Sequence, residues 1–108
     1  MVPKADRRHF RRVHADVRVR TVGMAPRQVG DISEGGVRVY ADEEQRVGAR
    51  LQIELTFADG GSLVCSADVV WVEELFADEP AQFEMGFQFV DVAPADLERI
   101  ARVVESGE

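Results

Sequence analysis

Apolar and polar side chains alternate along most of this chain. From Ala15 to Val22 the period is two, so Ala15, Val17 and Val19 share one face while Asp16, Arg18 and Arg20 share the other. That is the pattern of a half-buried strand. Gly23, Pro26 and Gly30 punctuate the connection that follows, and Val29 to Ser33 and Val37 to Tyr40 read as short extended pieces around a turn at Gly35-Gly36. Leu51, Ile53, Leu55 and Phe57 resume the alternation, after which Ala58-Asp59-Gly60-Gly61 supplies residues that tolerate positive φ in a hairpin. The chain is expected to return antiparallel over 62–73. Phe83, Met85, Phe87 and Phe89 then form another apolar face, with Glu84 and Gln88 opposite.

The last stretch changes period. Pro94 suits the first position of a helix, and Leu97, Ile100, Ala101 and Val104 fall at i, i+3, i+4 and i+7, predicting a short helix with one apolar stripe. Several short strands with turn signals between them predict an all-β barrel or sandwich, and closure into a barrel removes exposed strand edges. The expected organisation is a single domain: an arginine-rich lead-in over 1–13, flexible for want of apolar anchors, a β-barrel over 14–92 and a helix over 93–105.

Length and composition agree with that picture. A chain of 108 residues, 45% hydrophobic and 31% charged, can bury one core and no second one. No apolar run approaches the roughly 20 residues of a membrane-spanning helix, and no apolar stretch follows the arginine-rich start, so no membrane association and a cytoplasmic location are expected. Cys65 is the single cysteine and falls on an alternating run, where it reads as core.

Charge is segregated. Residues 1–20 carry seven Lys or Arg against two acids, net +5, whereas 21–108 carry six against eighteen, net −12, giving the total of −7. An acidic body repels polyanions, so nucleic acid is not an expected partner. A small anion gripped by one basic cluster is compatible with it. His9, His14 and Cys65 are too scattered for a metal site, and no serine or carboxylate pair has a catalytic setting, so neither a metal, a cofactor nor an enzymatic activity is expected.

Two elements carry chemistry. Arg7, Arg8, Arg11 and Arg12 put four guanidiniums just before the first strand, each a planar donor fork suited to phosphate or to the O6/N7 edge of guanine. A solvated basic tail is the plainer reading of such a run. The second element is Asp31-Ile32-Ser33-Glu34-Gly35-Gly36. Its carboxylate can accept from the N1–H and N2–H₂ edge of guanine, its hydroxyl can bond base or phosphate, and Gly35 and Gly36 let a ligand approach the backbone.

Together, Arg8-x-x-x-Arg12 and Asp31-x-Ser33-x-x-Gly36 resemble the two signatures of the PilZ domain family. Val69-Val70-Trp71 and Glu84-Met85-Gly86-Phe87-Gln88-Phe89 extend the resemblance to nearly the whole chain. It implies a six-stranded antiparallel barrel with a C-terminal helix, and a ligand, cyclic di-GMP, made of two guanosines closed by two phosphates. By the same resemblance, Arg8 and Arg12 would contact guanine and phosphate, and Asp31 and Ser33 would hold the ligand against the barrel. Arg7 occupies a position where a basic residue accompanies two stacked ligands, which would allow a monomer or a ligand-linked dimer. Trp71 has two readings, core or ligand contact at the barrel surface. The expected function is a receptor that changes shape on binding and passes the signal to an unidentified protein partner. The alternative is a PilZ-like adaptor that docks a protein without the nucleotide.

Overall fold

The computed structural model describes residues 13, 16–22, 26–76, 79 and 81–106, with the backbone alone for 26–28. Six strands are formed: β1 (Val17–Thr21), β2 (Pro26–Ile32), β3 (Gly36–Ala41), β4 (Arg50–Phe57), β5 (Ser62–Glu74) and β6 (Phe83–Val90). They close into an antiparallel barrel in the order β1-β2-β3-β6-β5-β4. One helix follows, α1 (Pro94–Ser106).

The period of two does what it must in a small barrel. Val19, Val37, Val39, Ile53, Leu55 and Met85 are fully buried inside, with polar neighbours on the outer wall. Closure comes from β1, which pairs with β4 from Val17↔Phe57 to Thr21↔Ile53. The β4–β5 turn uses the expected residues: Gly60 sits at φ +91° and the Asp59 carboxylate accepts from Gly61 N at 2.8 Å.

Two bulges interrupt the alternation. The β2–β3 register shifts between Val29 and Asp31, and the β5–β6 register between Val69 and Trp71. In each case one extra residue, Gly30 or Val70, changes which side of the strand the following residues occupy.

Helix α1 starts as its sequence directs, with Leu97 N donating to Ala93 O at 2.9 Å. Ile100 and Val104 join the core, and Val103 packs against it. Leu97 departs from the expected stripe, being 40% exposed. The helix is also tied by Arg99, which lies 4.8 Å over the Phe57 ring and donates to Ser62 O at 3.1 Å. Cys65 is core, and burial, with a smaller contribution from Asp96, pushes its thiol pKa up to about 11.

Candidate functional site

A row of residues crosses the outer wall over four adjacent strands. The ladders pair Asp31 on β2 with Arg38 on β3, Arg38 with Gly86 on β6, and Gly86 with Trp71 on β5. Their chain neighbours Ile32, Val37, Val39, Met85 and Phe87 are buried inside, which places the row on the outside. Arg38 bridges two carboxylates there. Its Nη2 lies 3.1 Å from Asp31 Oδ2 and its Nη1 donates to Glu84 Oε2 at 2.5 Å.

The turn that follows Asp31 is built by its own polar atoms. Ser33 N donates to Gly36 O at 2.9 Å, Ser33 Oγ donates to the same oxygen at 3.4 Å and accepts from Gly35 N at 3.2 Å. Ser33 is buried, so its hydroxyl has a structural task whatever else it does. Gly35 O accepts from Phe89 N at 2.9 Å, docking the turn on β6. Gly36 is required by that docking: a Cβ there would stand 2.1 Å from Phe87 O. The close approach it permits is therefore to a neighbouring strand.

Trp71 is resolved by the β5 bulge. Leu63, Cys65, Ala67 and Val69 point inward, and simple alternation would put Trp71 with them, but the extra residue turns it outward and sends Val72 toward the core. Its indole lies across Gly86, where a Cβ would come within 2.2 Å of Nε1. The glycine makes a flat seat for the ring.

The three arginines expected at the site, Arg7, Arg8 and Arg12, lie outside the described residues. Val13, next in sequence after Arg12, does not. It forms an antiparallel bridge with Ile32, Val13 N donating to Ile32 O and Ile32 N to Val13 O, both at 2.9 Å. Val13 is buried, so the lead-in expected to extend flexibly to residue 13 is anchored at that residue by two backbone bonds and an apolar contact. Because Ile32 separates Asp31 from Ser33, the chain carrying the first signature enters the barrel beside the second.

The PilZ domain family model matches residues 6–106, almost the entire chain. The chain belongs to the PilZ domain family. No curated protein sequence matches it. Among solved structures it is similar to YcgR from Escherichia coli in complex with c-di-GMP, at 22% identity and a TM-score of 0.74 over 93% of this chain and 45% of that one. It is similar also to the K. pneumonia MrkH–c-di-GMP complex, at 20% identity and TM-score 0.77 over 92% of this chain and 51% of that one. A third is the Bacillus subtilis inhibitor of motility, at 19% identity and TM-score 0.75 over 92% of this chain and 50% of that one. The PilZ domain described here thus spans about half the length of these solved chains. At such identities the likeness is one of fold, a six-stranded barrel with a C-terminal helix. PilZ domains are ligand-binding and effector domains, not enzymes. No described helix is long and apolar enough to cross a membrane.

Arg38 and Glu84 were missed in reading the sequence for site residues. Glu84 was legible only as the polar side of an alternating strand, and Arg38 as one charge among apolar neighbours. What singles them out is register, which brings three strands' charges together from positions 31, 38 and 84. Elsewhere on the outer wall Arg50 donates to Asp68 through Nε at 2.8 Å and Nη2 at 3.2 Å, and this hydrogen bonding lowers the Asp68 pKa.

Proposed function

We propose that this PilZ domain is a receptor for cyclic di-GMP, held between the arginine segment ending at Arg12 and the outer-wall row that begins at Asp31. The observation that carries this reading is the Val13–Ile32 bridge, which brings the ends of two recognition elements, nineteen residues apart in sequence, onto adjacent backbone. In this reading the Asp31 carboxylate accepts from the guanine N1–H and N2–H₂ edge, Arg8 and Arg12 pair with phosphate and guanine, and Trp71 offers an aromatic face for stacking. Ser33 supports the turn and contributes its hydroxyl. Arg7 favours two stacked ligands over one. Two of the solved relatives above are complexes with the same dinucleotide, which supports the ligand assignment. Signalling follows from a change in the segment 7–12 on binding, which presents a new surface to a protein partner.

Calorimetric titration with cyclic di-GMP, cyclic di-AMP and GTP tests the reading. Cyclic di-GMP should bind preferentially, in a molar ratio near two per chain. Replacing Arg8, Arg12 or Asp31 by Ala removes one or more charge-assisted hydrogen bonds, each about 1.5–3 kcal/mol, so each should weaken binding about tenfold or more. Equal binding of cyclic di-AMP, or unchanged titrations for all three variants, would overturn it.

A further inference from the structure

We infer that Arg38, which belongs to neither signature, is a positioning residue of the dinucleotide site: anchored by Glu84, it aims the Asp31 carboxylate and offsets its charge. The inference rests on the receptor reading above.

Three charged side chains from β2, β3 and β6 meet on the outer wall, all largely buried, with side-chain exposures of 15% for Asp31, 26% for Arg38 and 12% for Glu84. The guanidinium is confined on several sides. Glu84 takes Nη1, the Tyr40 ring centre is 5.9 Å away, and Nε lies 3.0 Å from where a Gly30 Cβ would be. A side chain at the β2 bulge would therefore displace it. So fixed a fork sets the rotamer of the carboxylate it holds through Nη2.

As a stabilising device this cluster is poor. Arg38 divides its fork between two acids, and its Nε is buried with no hydrogen-bond partner among the described residues. A group enclosed in that way forfeits its bonds to water without replacement, which offsets much of what the ion pairs contribute. As an aiming device it is well made. Guanine recognition by a carboxylate needs an ionised group in a fixed plane, and an isolated aspartate on a strand swings between rotamers. A carboxylate also has enough lone pairs to keep Arg38 while accepting from a base. Charge adds a second reason: the ligand brings two phosphates to a wall already carrying Asp31 and Glu84, and Arg38 is the cation set between those two acids.

The test is a double-mutant cycle read by titration of cyclic di-GMP into wild type, Asp31→Ala, Arg38→Met and the double variant, with Glu84→Gln and Arg38→Lys as gentler changes. Arg38→Met should weaken binding about five- to tenfold, Glu84→Gln by less in the same direction, and Arg38→Lys should restore part of the loss by returning the charge without the fork. In the Asp31→Ala background, Arg38→Met should have a much smaller effect, the part due to charge alone, and a merely structural role would not produce that reduction. Far-UV circular dichroism checks that each variant folds. If Arg38→Met does not fold, Glu84→Gln decides alone, since it leaves the guanidinium in place but unanchored. Wild-type affinity in Arg38→Met, tighter binding in it, or an undiminished effect in the Asp31→Ala background overturns the inference while leaving the receptor reading intact. Absence of binding by the wild type overturns both.

Discussion

A methyl group added at Gly36 would stand 2.1 Å from the Phe87 carbonyl oxygen, and one added at Gly86 would stand 2.2 Å from the Trp71 indole nitrogen. The distances are nearly equal and their consequences are not. At Gly36 the obstacle is backbone in the β3–β6 ladder, which yields only if the strands part. At Gly86 it is a side chain on the outer wall, which can yield by a change of rotamer without parting the ladder. Gly36→Ala should therefore cost about 1–3 kcal/mol, whereas Gly86→Ala should cost less while moving the indole and shifting its emission. Thermal denaturation beside tryptophan fluorescence would distinguish them, and equal losses of Tm would mean the indole is held as firmly as the backbone. Both glycines were visible in the sequence within motifs. Which neighbour makes each necessary was not, because Phe87 and Trp71 approach through strand pairing that no local pattern encodes.

Among the elements, strands were read more successfully than the face each residue takes. β1, β4 and β6 fall where alternation put them, because a barrel wall with a dry interior enforces a period of two. Trp71 shows where that logic ends. An extra residue at a bulge reverses the phase of all that follows, and Val69-Val70-Trp71 contains no glycine or proline to announce it. The charge triad of Asp31, Arg38 and Glu84 was illegible for a related reason, since it depends on the registers of two ladders at once. The β2–β3 turn gives a prediction at this scale. Ser33 closes it with bonds to Gly35 and Gly36, so Ser33→Ala should lose about 1–2 kcal/mol and lower Tm by roughly 4–8 °C per kcal/mol even without ligand. Asp31→Ala, whose partner Arg38 retains Glu84, should lower it less. A Ser33 variant that melts like wild type would show that the main-chain bonds suffice.

For the whole molecule, the closed ring makes the strands depend on one another. β1 is the shortest strand, yet it joins β2 to β4 and so completes the wall. Removing it exposes the interior along both neighbours, which predicts a single unfolding transition. Guanidinium denaturation followed by Trp71 fluorescence, on the β5–β6 side, should coincide with far-UV circular dichroism of the entire fold. Separated midpoints would reveal a barrel that opens first at β1. Closure has a further effect on how such a protein can be recognised. A sheet with a free edge can accept a strand from another molecule and be read through its main chain, as in β-augmentation, and the same edge is a template for aggregation. Along β3, β4 and β6 the main-chain donors and acceptors are largely spent on neighbouring strands, so a partner meeting that part of the wall discriminates by side chains. The far end of β5, residues 70–74, is paired with β6 on one side and extends past the end of its ladder with β4, so a partner that reads backbone is directed to that short stretch.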